Sequence, residues 1–178
     1  MEIIFLTITL IRPEKHFETD FRNAILEFRT IGEESLTASF SRCKNNFEKY
    51  LKYVVNAEKG LNLPKGFVPF TTFWLVKNGN RILGFCYLRH HLNISLSNEG
   101  GHIGYAIRPS ERRKGYGTQQ LLLLLAECRN LKYKQLLITC DFDNIASQKI
   151  IEKNGGIRSG EAISPRSFKK VFHYWITL

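Results

Sequence analysis

The sequence predicts an α/β fold in one domain, with about seven strands and four helices in the order β-α-α-β-β-β-α-β-α-β-β. Three observations carry this. Short runs rich in β-branched and aromatic residues alternate with segments whose apolar residues recur at helical spacing. An Asn78-Gly79 pair between two of the runs marks a hairpin. A basic turn with two glycines, Arg112-Arg-Lys-Gly-Tyr-Gly117, separates a short apolar run from a leucine-rich helix pattern. A chain of 178 residues suits a single domain spanning 1–178 with a substantial core.

The first run, residues 3–11, reads as a strand that Arg12-Pro13 ends. Phe17, Phe21, Ala24, Ile25 and Phe28 then fall on one stripe of a helix over 14–29, and 30–35 form a loop. A second stripe, Phe47, Tyr50, Leu51, Val54 and Val55, predicts a helix from near Ser41 to a stop at Gly60. Residues 61–69, with two prolines, are a linker inside the domain. The hairpin pairs 71–76 with 81–88, and a polar loop over 90–101 follows. Strand 102–108 stops at Pro109, and the helix pattern over 119–129 is leucine-rich enough to be buried on several sides. Strand 135–140 leads to a helix that Asn144 opens, and strands at 157–163 and 168–176 close the chain.

Composition narrows the function. Hydrophobic residues make up 43% and charged residues 24%, as in ordinary globular proteins. The apolar start lacks a basic flank and a cleavage site and is too short to span a bilayer, so no membrane association is expected. Cys43, Cys86, Cys128 and Cys140 are scattered, without a C-x-x-C pair, and read as reduced thiols of a cytoplasmic protein. The net charge of +10 suits an anionic ligand, nucleic acid or phospholipid. The cations are dispersed and not interleaved with aromatics, which argues against a nucleic-acid platform.

The basic turn carries the chemistry. Gly115 and Gly117 leave the backbone open where a helix begins, and the unpaired N–H groups there favour an anion. With Arg112, Arg113 and Lys114 alongside, the ligand expected is a phosphate or pyrophosphate. A P-loop requires G-x-x-x-x-G-K-[ST], which Gly115-Tyr116-Gly117-Thr118 does not supply. A dinucleotide fingerprint requires a third glycine where Gln120 stands.

Residues 102–156 resemble the coenzyme A site of the GNAT superfamily of N-acetyltransferases. The R/Q-x-x-G-x-G/A turn of that family matches residues 112–117, and its N-x-x-A/S-x-x-ϕ-Y-x-x-x-G signature fits Asn144, Ser147, Ile150 and Gly155. The sequence departs at Ile151, where many members carry a tyrosine thought to protonate the leaving thiolate. The resemblance implies a mixed, mostly antiparallel sheet whose strands 102–108 and 135–140 splay apart around the pantetheine arm. It implies acetyl-CoA as co-substrate, without a metal. The pyrophosphate would lie on Arg112, Arg113, Lys114, Gly115, Tyr116, Gly117 and Thr118. Backbone groups of Tyr105, Ala106 and Ile107 would pair with the pantetheine and acetyl carbonyls, and Asn144 and Ser147 would contact the same arm. The first two helices would border the acceptor.

Acetyl transfer to an amine requires a group that accepts the ammonium proton. The candidates are His102, at the entry of the central strand, Glu99 and Asp141. Strand alternation disfavours His102 unless a bulge follows Gly100-Gly101. Tyr105 and Tyr116 are the tyrosines near the cofactor turn, and both suit packing. His90-His91 has no ligand-spaced partner, so no metal site is expected. The activity implied is acetyl transfer to a primary amine of a small molecule, peptide or protein. The alternatives are an acyl-CoA-binding module that no longer catalyses and a basic RNA- or ribosome-associated protein. Pocket-forming loops follow no fixed pattern, so the acceptor and the oligomeric state are not encoded legibly.

Overall fold

The computed structural model describes residues 7–33 and 38–178. Its strands are β1 (Ile8–Ile11), β2 (Phe70–Lys77), β3 (Arg81–Arg89), β4 (Ile103–Ile107), β5 (Gln135–Asp141), β6 (Ile157–Ile163) and β7 (Lys170–Thr177). Its helices are α1 (Glu18–Thr30), α2 (Ala38–Arg42), α3 (Phe47–Glu58), α4 (Ile94–Asn98), α5 (Tyr116–Asn130) and α6 (Ile145–Lys153). Residues 3–6 of the expected first strand and 34–35 of the expected loop lie outside the described residues.

The described residues hold six α-helices where four were expected, for two local reasons. Lys44 and Asn45 both take left-handed φ angles of 54°, which ends α2. Asn46 then caps α3, its side chain accepting the Lys49 N–H at 2.9 Å. One expected helix from Ser41 thus becomes two. Within the expected polar loop, Asn93 caps α4 in the same way through the Leu96 N–H.

The seven strands form two antiparallel ladders, β1-β2-β3-β4 and β5-β7-β6, instead of one continuous sheet. They meet at the entry of β4. There the His102 N–H donates to the Leu137 carbonyl at 2.7 Å, and the Leu137 N–H donates to His102 Nδ1 at 2.9 Å. Gly100 and Gly101, both at positive φ, turn the chain into this contact.

Each face of the larger sheet is covered. Phe73, Cys86, Leu88 and Ile103 pack with Leu121, Leu124, Leu125 and Cys128 of α5. Leu122 is 55% exposed, so α5 buries one stripe and not several sides. On the opposite face, Trp74, Val76 and Ile82 meet Phe17, Phe21, Phe40, Phe47 and Tyr50. Phe21 is the hub of that aromatic layer, 5.3 Å from Trp74 and 5.0 Å from both Phe40 and Phe47.

A charge network pins α1 to the end of β4. Arg108, only 3% exposed, donates to Glu27 at 2.7 Å and to Asp20 at 2.8 Å. Glu27 also accepts the Ser110 N–H, and Glu111 receives Arg81 and Lys114. Burial alone would push the Glu27 and Glu111 carboxyls up, but these donors hold both below the ordinary value of 4.5. Groups lowered on folding contribute stability in full above 4.5 and lose it as pH falls through their folded values. Chemical melts at pH 7 and pH 3 should therefore show acid destabilisation. Glu27→Gln should lower stability at pH 7 by about 1 kcal/mol and flatten the pH dependence. An unchanged slope would remove Glu27 from this account.

Candidate active site

The site lies where β4 leaves β5. The Arg89 N–H bonds the His102 carbonyl and the Arg108 N–H bonds the Leu83 carbonyl, which fixes the register of β4 on β3. Backbone groups alternate along a strand, so Gly104 and Ala106 address β3 while Ile103, Tyr105 and Ile107 address the opening toward β5. The amides of Tyr105 and Ile107 thus face the opening, while the backbone of Ala106 is turned to the β3 ladder.

At the far end of that opening stands the N-terminus of α5. Its cap, Gly115, has φ 85° and supplies no side-chain acceptor, and the first turn contains no acid. The helix begins at Tyr116, and the first backbone bond back to the cap comes from the Gln119 N–H. The amides of Tyr116, Gly117 and Thr118 precede that bond and form an uncapped donor cluster.

The two glycines serve different ends. A Cβ on Gly115 would meet nothing within 4 Å, so this residue is open to a ligand. A Cβ on Gly117 would stand 2.6 Å from Ile150 Cδ1. Gly117 therefore lets α5 close on α6, and α6 occupies the side from which the sequence alone suggested ligand approach.

The three cations of the turn also divide. Arg112 forks onto Glu33, with one nitrogen 2.8 Å from Oε1 and a second bond to Oε2, while its Nε donates to the Ile107 carbonyl. Lys114 pairs with Glu111 at 2.9 Å. Arg113, exposed and at φ 60°, has no carboxylate partner among the described residues.

On the other bank, Asn144 caps α6 by accepting the Ser147 N–H at 3.0 Å. Ser147 Oγ is 2.8 Å from the Tyr105 hydroxyl, a contact that reaches from β4 to α6. Burial pushes the Tyr105 phenol well up, so it keeps its proton. Ile151 is fully buried and takes no part.

Beside β4, on the α1 and α3 face, is a cavity of about 390 Å³. Its walls come from α1, α2, α3, α4, β2, β3 and the segment before β2, with Tyr105 and Arg166. None of the three expected proton acceptors lines it. His102 is a staple between the ladders, with its Nδ1 lone pair engaged by the Leu137 N–H. Burial lowers its pKa, and the Arg89 charge adds to the effect. Glu99 accepts the Ser164 hydroxyl at 2.8 Å and so holds the β6–β7 loop. Asp141 ends β5 as an exposed residue, raised by burial and by the neighbouring Asp143 and Glu99 carboxylates. The arginines of this cavity come from segments far apart in the chain, so no local motif announces them.

The family model of the acetyltransferase (GNAT) domain matches residues 21–157. This chain belongs to the GNAT acetyltransferase family. Its fold is that of solved GNAT N-acetyltransferases, and it is an acyltransferase by family. The ribosomal-protein alpha-N-acetyltransferase RimL, in complex with coenzyme A, aligns over 97% of this chain and 94% of its own at 15% identity and TM-score 0.68. A chimera of the spermidine N-acetyltransferase SpeG from Vibrio cholerae with hSSAT aligns over 96% and 95%, at 15% identity and TM-score 0.65. The microcin self-immunity acetyltransferase MccE, in complex with acetyl-CoA and AMP, aligns over 96% and 92%, at 16% identity and TM-score 0.63. No curated protein sequence matches the chain. Among the described residues there is no cluster of three or more metal-ligating side chains.

Proposed function

We propose that this GNAT chain transfers an acetyl group from acetyl-CoA directly to a primary amine. The observation that carries the proposal is the uncapped start of α5 at the mouth of the opening between β4 and β5. Three helix amides and Arg113, which has no carboxylate partner among the described residues, suit a diphosphate there, while Arg112 and Lys114 hold the turn through Glu33 and Glu111. The amides of Tyr105 and Ile107 would bond the pantetheine arm, with Asn144 and Ser147 on its other side. An amide aimed at the thioester oxygen stabilises developing charge by ~3 kcal/mol. The solved relatives named above carry coenzyme A or acetyl-CoA, or act on amines by name, which supports this choice of co-substrate and acceptor. No helix among the described residues is long and apolar enough to cross a membrane, and all four cysteines are free, which supports a cytoplasmic location.

In this reading the amine nitrogen bonds the acetyl carbon and the carbon–sulfur bond breaks. The Tyr105 hydroxyl, oriented by Ser147, relays a proton from the attacking nitrogen to the leaving sulfur in one concerted transfer, so that the phenol itself never ionises. Tyr105 thereby replaces the tyrosine that Ile151 removes from α6.

Calorimetry with coenzyme A and thiol release with an amine panel test the proposal together. Micromolar binding and turnover are expected; failure to bind coenzyme A would overturn it. Binding without turnover would favour the second reading, an acyl-CoA-binding module, which the buried Ile151 motivates. Tyr105→Phe should lower kcat by about 100-fold while leaving coenzyme A affinity within about twofold. An unaltered kcat would remove Tyr105 from the proton path.

A further inference from the structure

The cavity beside β4 has an unusual charge inventory for a site that would receive an amine. Its walls carry three guanidinium groups, Arg42, Arg89 and Arg166, and no aspartate or glutamate among the described residues. None of the three pairs with a carboxylate among those residues, although most charged groups near the cofactor turn do. Arg89 donates to the Gly100 and Gly101 carbonyls, each at 2.7 Å, and to the Tyr87 hydroxyl at 3.2 Å. These neutral acceptors orient its charge without cancelling it. Arg42 donates to Ser39 Oγ at 3.1 Å and stands 5.3 Å over the Phe67 ring. Arg166 is exposed at the rim, on the loop that Ser164 and Glu99 brace.

Between the arginines the walls are aromatic. Phe40, Phe67, Phe70, Phe85 and Tyr87 contribute, and Phe67 is 45% exposed. Rings of this kind accept a flat apolar body, and guanidinium forks accept carboxylate or phosphate oxygens. A polyamine would bring two or more ammonium groups against three guanidiniums with no acid to receive them.

We infer that the acceptor is a small primary amine bearing an aromatic group and an anionic group, carboxylate or phosphate, and not a polyamine. The inference rests on the cavity being the acceptor site of the acetyl transfer proposed above. It also accounts for the absence of the expected proton acceptors from the walls. Three guanidiniums favour the neutral form of an amine held among them, so its ammonium proton is released to solvent before attack. The other ionisable side chains facing it are the hydroxyls of Tyr50 and Tyr87, and burial pushes Tyr50 up, away from ionisation; the Cys86 and Tyr105 side chains pack on the opposite face of the sheet, against α5 and α6. The amine nitrogen then bonds the acetyl carbon as the thiol departs, with the proton transfer already described.

Matched acceptors test this in the thiol-release assay: O-phosphotyramine against tyramine, phenylalanine against phenethylamine, and spermidine alone. At least one anionic member should exceed its uncharged-ring partner in kcat/KM by about tenfold, and spermidine should fall below both. The pair with the larger ratio tells phosphate from carboxylate. Arg42→Gln and Arg166→Gln together should collapse that ratio toward unity through KM. Preference for spermidine or for the partners without an anion, or a ratio that survives both substitutions, would overturn the inference. If no amine is turned over, calorimetry with O-phosphotyramine decides. Binding that weakens by about tenfold in the double variant upholds the anion site while the transfer reading falls; no binding overturns it.

Discussion

Arg113→Glu is expected to weaken coenzyme A binding by about 30- to 100-fold at low salt, more than any other single charge change in the turn. The three cations of Arg112-Arg-Lys114 look equivalent in sequence, but their partners differ. Arg112 is committed to Glu33 and Lys114 to Glu111, so substituting Arg112 frees a carboxylate and substituting Lys114 leaves Glu111 to Arg81 alone, and either change disturbs the turn. Arg113 has no such partner among the described residues and stands beside the free amides of α5. At an effective dielectric between water and protein, one unit charge about 5 Å from a phosphate contributes roughly 1–2 kcal/mol, and reversal doubles the loss. Arg113→Asn should show about half of that free-energy loss, and asparagine suits the left-handed φ of 60° at this position. Raising salt to about 1 M should shrink the differences, because exposed charges are screened. Calorimetric titration of coenzyme A into the three single variants checks the order. A larger loss in Arg112→Gln than in Arg113→Glu would mean that the guanidinium bound to Glu33 turns to the phosphate.

How much of this was legible in the sequence follows from how local each signal is. The turn from Arg112 to Gly117 announced itself because strand, cations, glycines and helix start are consecutive. Asn144 was legible as a cap for the same reason, and its bond to the Ser147 N–H is the expected one. Less was legible where a residue's contacts depend on distant chain. His102 is suited by its intrinsic pKa to proton transfer, but Leu137, 35 residues away, engages its ring. Glu99 is recruited by Ser164, 65 residues away. Gly117 serves helix packing as much as any ligand, because Ile150 closes on it. The break between α2 and α3 was legible in principle, since Lys44-Asn45-Asn46 combines residues tolerant of left-handed φ with a good cap. The aromatic stripe on both sides masked it. Both of the first two expected helices contribute walls to the cavity, but its three arginines could not be grouped from sequence, since they come from α2, β3 and the β6–β7 loop.

Gly101→Ala should be the most damaging conservative substitution in the chain, lowering stability by about 3–4 kcal/mol. Gly101 is buried at φ 59°, and an added Cβ would stand 2.4 Å from the Leu137 carbonyl oxygen and 3.0 Å from its carbon. Both are backbone atoms of the buried middle of β5, so no side-chain rotation relieves the contact. Adopting a positive φ costs alanine about 1 kcal/mol or more. Displacing β5 also loosens the two bonds between His102 and Leu137, each worth about 1 kcal/mol. For a chain of this length that sum corresponds to a fall in melting temperature of about 10 °C. Gly160→Ala provides the control, because a Cβ there meets nothing within 4 Å. The junction also joins β4 to β5 at the start of the opening, through the two His102–Leu137 bonds. Coenzyme A affinity measured well below the melting temperature should therefore fall in Gly101→Ala and not in Gly160→Ala. If Gly101→Ala melts within about 2 °C of the parent, β5 can shift at no cost. The opening between the ladders would then be set by the helices beneath it and not by the His102–Leu137 contact.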